Sequence, residues 1–196
     1  MRAAEMQRFV SPDPQASFLF LYRGGRCSQT PRVLEALDEL DSSLAPGPTT
    51  VIEVGTFAGG FTHVLSDHDI TRGAELHTFD VTDWGGNRGK ATFHSCDVPN
   101  DKALVAVLVA RPGRCVLFCD GGDKEREVRE LCPLLKRGDL ILAHDYVREV
   151  GDHLRYGWPG YETVRANVQA ALDENGFIPH VEETMASAMW GCWMKR

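Results

Sequence analysis

The chain has 196 residues, 43% of them hydrophobic, and a formal net charge of −7. That length and apolar content suit one domain around one sizeable core, and the acidic balance argues against a general nucleic-acid binder, which would carry a basic patch or tail. No apolar run approaches the roughly 20 residues of a membrane span, and the opening Met-Arg-Ala-Ala-Glu-Met-Gln-Arg lacks an apolar signal core, so the expected location is cytoplasmic.

In chain order, residues 1–28 read as a lead segment ahead of a single domain over 29–196. Its run Phe18-Leu19-Phe20-Leu21-Tyr22 is strongly apolar. An added strand, a helix on the sheet, a lid and a contact in a homodimer all satisfy it. Gln29-Thr30-Pro31 then opens a helix, with Thr30 as cap, Pro31 in the first turn, and Val33, Leu34, Leu37 and Leu40 on the buried spacing. Pro46-Gly47-Pro48 ends it. The next stretch, Thr-Thr-Val-Ile-Glu53-Val-Gly55-Thr56-Phe-Ala-Gly59-Gly60, organises the chain. Val51, Ile52 and Val54 suit a buried strand of a parallel sheet. The strand ends in a glycine turn, and a helical pattern (Phe61, Val64, Leu65) follows. This geometry brings backbone N–H groups and a helix N-terminus close to a nucleotide, although an ordinary βα turn shares the outline. Leu76 to Asp80 is a second strand, and an acid at that strand end accepts hydrogen bonds from ribose hydroxyls.

Residues 81–90 form a polar, glycine-rich loop, and residues 91–96 a third strand. Asp97 either faces the adenine side of a pocket or caps the helix starting near Pro99. That helix, 101–110, is expected to bury Leu104, Val105 and Leu108. Cys115-Val-Leu-Phe-Cys119-Asp120 is another unbroken apolar strand, followed by a helix over 124–136 that Asp123 caps and that turns Val128, Leu131, Leu134 and Leu135 inward. Leu140-Ile-Leu-Ala-His144-Asp145-Tyr146 is a fifth strand. Glu53, Asp80, Asp120 and Asp145 therefore all fall at or near carboxyl ends of strands, where open α/β sheets collect ligands. The loop over 146–161, with His153, Arg155, Tyr156 and Trp158, is a candidate acceptor wall. A helix over 161–173 and an antiparallel pair, 177–183 with 186–194, complete the chain. Cys27, Cys96, Cys115, Cys119, Cys132 and Cys192 are scattered without a Cys-x-x-Cys pair and read as free thiols.

The Glu53-x-Gly55-x-x-x-Gly59-Gly60 spacing differs from the Gly-x-Gly-x-x-Gly of dinucleotide folds. It resembles motif I of the class I S-adenosylmethionine-dependent methyltransferases. The resemblance implies a Rossmann-like α/β fold: a mostly parallel, seven-stranded sheet with an antiparallel C-terminal strand, flanked by helices. It also implies that Glu53 lies beside the amino acid moiety of S-adenosylmethionine. Gly55, Thr56, Gly59 and Gly60 would pass under the methionine part, Asp80 would hold the ribose, and Asp97 and Asp120 would border the pocket.

Gln29-x-Pro31, the motif I loop, Asp120-Gly-Gly and Gly138-Asp-x-Ile-x-Ala-His144-Asp145-Tyr146 narrow the resemblance to the cephalosporin hydroxylase and macrolide sugar O-methyltransferase group. That group binds magnesium through an Asp after strand four and an acidic pair after strand five, which implies a Mg2+ or Mn2+ site at Asp120, His144 and Asp145. His144 departs from the acid often found there. A histidine ligand suits manganese, iron or zinc better than magnesium; alternatively, His144 replaces metal catalysis as a base. The expected activity is methylation of an oxygen of a small polar acceptor, with catalysis at His144, Asp145 and Asp120 and neither nucleic-acid nor membrane partners. The rival is a protein of this fold that holds the cofactor or a nucleoside without catalysis.

Overall fold

The computed structural model describes residues 6–8, 20–23, 25–149, 151–152 and 162–196. Phe18 and Leu19 of the lead run, and His153, Arg155, Tyr156 and Trp158 of the candidate acceptor wall, lie outside the described residues.

Three short strands, β1 (Met6–Arg8), β2 (Phe20–Tyr22) and β3 (Gly25–Cys27), pair antiparallel in a small sheet of their own. Tyr22 and Cys27 carry that sheet into the main core, where both are wholly buried. Helix α1 (Val33–Ser43) buries Val33, Leu34, Ala36, Leu37 and Leu40 along one stripe, as an amphipathic 3.6 period requires. Thr30 does not cap it. The helix opens from Arg32 without a side-chain cap, and the buried Thr30 hydroxyl finds no partner.

The central sheet has seven strands in the order β11-β12-β8-β7-β4-β5-β6. Its parallel part is β4 (Thr50–Val54), β5 (Glu75–Asp80), β6 (Thr92–Ser95), β7 (Cys115–Cys119) and β8 (Leu140–Ala143). Strands β4, β7 and β8 are buried at every position, because helices cover both faces of a parallel sheet. Side chains alternate between the two cores. Val51, Val116, Phe118, Leu140 and Leu142 face one, and Ile52, Val54, Leu117, Cys119, Ile141 and Ala143 the other. The chain runs from β4 outward through β5 and β6, then returns to β7 on the other side. The carboxyl ends of β4 and β7 therefore flank a topological switch point, the place where such sheets bind ligands.

Helix α2 (Gly60–Asp67) follows β4, α3 (Ala103–Val109) follows β6, and α4 (Lys124–Leu131) follows β7. Helix α3 departs from the expected burial. Its sequence is apolar all round, so the pattern could not choose a face. Val105, Leu108 and Val109 turn inward, which leaves Leu104 39% and Val107 60% exposed. Helix α4 ends at Leu131, and a 3-10 turn carries Pro133 and Leu134 onward, since proline cannot donate to the helical ladder. The fifth parallel strand stops at Ala143. Tyr146–Val147 (β9) leaves the sheet to pair with Thr163–Val164 (β10), ahead of α5 (Arg165–Glu174).

Strands β11 (Phe177–Pro179) and β12 (Gly191–Lys195) form the expected antiparallel pair. A helix, α6 (Glu182–Ser187), occupies part of what reads as strand. Met185, Ala188 and Trp190 pack into the core beside α1, and helical spacing is what lets Met185 and Ala188 reach it. All six cysteines are free. Among the described residues, no helix is long and apolar enough to cross a membrane.

Candidate active site

A cavity of about 800 Å³ opens over the switch point. It runs from the β4 loop and the end of β5 to the ends of β7 and β8, so Asp80, Asp97, Asp120, His144 and Asp145 all line one space. The volume falls within the range of small-molecule sites.

The β4 loop is built from backbone. Gly55 takes φ +97° and donates its N–H to Phe79 O at 2.8 Å. A side chain there would press on the end of β7, with Asp120 O only 2.2 Å from an added Cβ. At Gly60 an added Cβ would meet Arg26 O at 1.9 Å, so glycine lets β3 cross directly over the start of α2. Phe57 N–H donates to Asp80 Oδ2 at 2.8 Å and Thr82 N–H to Oδ1 at 3.1 Å. The two backbone donors fix the Asp80 carboxylate at the cavity edge and leave lone pairs for a ligand.

Two residues of the expected cofactor set sit elsewhere. Glu53 is wholly buried beneath the loop and does not line the cavity. Its Oε2 accepts from Thr62 Oγ1 at 2.5 Å and Thr78 Oγ1 at 2.6 Å, while Oε1 has no partner. Burial pushes its carboxyl up to about 8 despite those hydroxyls, with Asp120 and Asp80 adding to the rise. Glu53 thus ties β4, β5 and α2 together from below as a neutral acid. Gly59 is covered, since Asn87 O lies 3.0 Å from where its Cβ would be. Thr56 lines the cavity, but its hydroxyl is spent on Thr78 Oγ1 at 2.6 Å. Asp97 stands at the rim, accepting from Asn100 Nδ2 at 2.8 Å. The start of α3 belongs to Asp101, which accepts from Ala103 N–H.

The neutral Glu53 has a testable consequence. Its proton is favoured in the fold, so the stabilisation it gives is fully present below the unfolded value of 4.5 and is lost as the pH rises through about 8. At 1.36 kcal/mol per pKa unit, the loss is on the order of 5 kcal/mol. Glu53→Gln keeps the shape without the titration. Thermal melts from pH 5 to 9 should show the wild type losing stability relative to this variant; parallel curves would contradict the assignment.

At the far end, His144 Nδ1 lies 2.9 Å from Asp120 Oδ1 and 3.6 Å from Asp145 Oδ2. Burial works against its positive charge, but Asp120 and Asp145 outweigh that and hold its pKa above the usual histidine value. Its Nε2 is buried without a partner. The ring rests on Trp190, centroids 4.8 Å apart. Asp123 caps α4 as expected, accepting from Arg126 N–H at 2.9 Å.

Three participants were given no role by the sequence, although Gln29 belongs to one of its motifs. Gln29, 1% exposed, donates from Nε2 to Asp120 Oδ2 at 2.7 Å and accepts from Trp190 Nε1 at 2.9 Å. Glu127 lines the cavity and accepts from Gly121 N–H, and burial pushes it up to about 7. Lys124 places its ammonium 3.2 Å from Asp145 Oδ2. A lysine in the first turn of a helix opposes the helix dipole, and that anomaly was the available signal.

Asp120, His144 and Asp145 offer ligand atoms within 4.8 Å of one another, the donor set of a divalent-ion site. The surroundings fit an ion poorly. His144 Nδ1 is turned to Asp120, and a buried ammonium already neutralises Asp145.

No family model matches the chain, and no curated protein matches it. Among solved structures it is similar to CurJ carbon methyltransferase, with TM-score 0.50 and 16% identity over 82% of this chain and 52% of that one. It is also similar to cofactor-bound Rv0187 from MTB, with TM-score 0.47 and 14% identity over 84% and 80% of the two chains. A third is geranyl diphosphate C-methyltransferase from Streptomyces coelicolor A3(2), in complex with Mg2+, geranyl diphosphate and S-adenosyl-L-homocysteine, with TM-score 0.44 and 12% identity over 83% and 78%. The chain spans about half the length of the CurJ enzyme. The likeness is one of fold, a Rossmann-like methyltransferase sheet, mostly parallel with an antiparallel strand and flanked by helices.

Proposed function

We propose that this chain binds S-adenosylmethionine and transfers its methyl group to an oxygen of a small polar acceptor, as the resemblance to the cephalosporin hydroxylase and macrolide sugar O-methyltransferase group implies. The observation that carries the reading is the single cavity joining the β4 loop and Asp80 to the His144–Asp120 pair. When bound, S-adenosylmethionine supplies an electrophilic methyl on a sulfonium, and the acceptor oxygen displaces the sulfur in line. Asp80, at the cavity edge, would take the ribose hydroxyls, and Asp97 would lie at the adenine end.

His144 is the residue that can take the acceptor's proton. Asp120 accepts from its Nδ1–H, which fixes the tautomer and leaves Nε2 as the basic nitrogen. Gln29 anchors the other oxygen of Asp120, so the carboxylate orients the imidazole instead of rotating. Closing acceptor and cofactor into one cavity contributes the alignment that an in-line displacement needs.

Metal assistance is the second reading. Asp120, His144 and Asp145 would hold Mg2+ or Mn2+, lowering the acceptor hydroxyl's pKa. The buried ammonium beside Asp145 favours the histidine instead.

Calorimetric titration with S-adenosylmethionine, with Mn2+ and after chelation, tests the proposal. Micromolar binding is expected, indifferent to chelation. Asp80→Ala should weaken it at least about tenfold, or about 1.4 kcal/mol. A wild type that does not bind would overturn the function.

A further inference from the structure

The carboxylate cluster at the ends of β7 and β8 already contains a cation. Lys124 Nζ lies 3.2 Å from Asp145 Oδ2 and 2.5 Å from Glu162 Oε2, and it donates to Gly121 O at 3.0 Å. The ammonium donates hydrogen bonds to Glu162 and Gly121 and pairs its charge with Asp145. The side chain is 6% exposed while Glu162 is 57% exposed, so the charge is held inside and its outer partner faces solvent. Burial opposes the charge, but Asp120, Asp145 and Glu162 more than compensate and keep the ammonium pKa above its ordinary value. Two carboxylates, an imidazole and an ammonium thus share one corner of the cavity.

We infer that Lys124 occupies the electrostatic place of a divalent metal at Asp120, His144 and Asp145, so that the wild-type chain takes up no ion there and removal of the ammonium creates an ion site. An ion bound to Asp145 Oδ2 at a normal metal–oxygen distance would sit within about 5 Å of the Lys124 nitrogen. The ion would also compete with it for the same carboxylate. His144 is bound in the same arrangement, because its Nδ1 can ligate only by giving up the hydrogen bond to Asp120. With Lys124 gone, Asp120 and Asp145 are left as half-buried acids without the ammonium's charge, and their donor atoms with that of His144 lie within 4.8 Å of one another. Lys124 is a positioning residue: it holds Asp145 in place and, through the field, lowers the basicity of His144. The inference rests on the proposed function only in taking this corner as the acceptor end of the cavity.

Mn2+ binding, followed by electron paramagnetic resonance on the full chain without S-adenosylmethionine, tests it. The wild type and Lys124→Arg should show no saturable binding in the micromolar range. Lys124→Gln and Lys124→Met should each bind one Mn2+ at least about tenfold more tightly. Adding Asp120→Asn to Lys124→Gln should abolish that gain. Circular dichroism establishes which of the two neutral variants is folded and therefore decides the question. Saturable wild-type binding that Asp145→Asn removes would overturn the inference, as would a folded neutral variant that gains no Mn2+. Because no methyl transfer is read, failure of S-adenosylmethionine to bind would sink the proposed function and leave this result standing.

Discussion

His144→Gln is expected to slow methyl transfer by roughly 10²- to 10⁴-fold, the usual contribution of a general base, while S-adenosylmethionine affinity stays within a few-fold. A glutamine amide can still offer an N–H to Asp120, so the hydrogen bond that organises the cluster has a replacement. What it lacks is a nitrogen able to accept a proton. The pH profile separates this role from a structural one. Burial lowers the pKa of His144, but Asp120 and Asp145 raise it further than burial lowers it. The working, neutral imidazole therefore appears only as the pH climbs through that raised value. Wild-type kcat should rise across that range, and the rise should vanish in the variant. An unchanged kcat in a folded His144→Gln protein would remove the histidine from the chemistry.

Gly55→Ala should be strongly destabilising for a single added methyl group. Two faults combine at that position. The backbone sits at φ +97°, a region that alanine rarely adopts, and the added Cβ would lie 2.2 Å from Asp120 O and 2.6 Å from Gly121 N. Both obstacles are main chain, so no rotamer relieves them, and β4 and β7 must separate at their ends. A loss of roughly 3–5 kcal/mol is expected, as for other strained-backbone and overpacking substitutions. At about 2–4 °C per kcal/mol for a domain of this size, the melting temperature should fall by about 10 °C. Gly122→Ala is the control. Nothing lies within 4 Å of its would-be Cβ and its φ is unexceptional, so its effect should stay within about 0.5 kcal/mol. Similar melting temperatures for the two variants would contradict the close approach of β4 and β7.

The strands and their acids were legible because both are local signals. An apolar β-branched run between turn residues announces β4, β7 and β8, and an acid at each end needs only the direction of the chain to be placed. Asp80, Asp120, His144 and Asp145 meet in one cavity for that reason. Glu53 does not line the cavity because it sits within β4, one residue before the strand end, with its carboxyl held by Thr62 and Thr78. Gly59 does not line it either, because the loop that covers it comes from residues 87–88, a contact across the fold that spacing does not encode. Thr30 looked like a helix cap on residue type alone, yet the helix began two residues later than such a cap requires. Gln29 and Lys124 share one difficulty: their importance lies in partners far along the chain, Trp190 for the first and Glu162 for the second.

The Gln29 bridge also says something about how the molecule is made. Its carbonyl waits for the Trp190 indole, 161 residues further along the chain. A ribosome adding roughly 5–20 residues per second leaves a nascent chain without that partner for many seconds. Strand β12, which follows Trp190, takes an interior place between β8 and β11. Until it is synthesised, the wholly apolar β8 is an open edge, the kind of surface on which newly made chains aggregate. Maturation of the Asp120 corner and closure of the sheet thus become one late event, and a chain stalled before Trp190 would present both an unfinished site and a sticky strand.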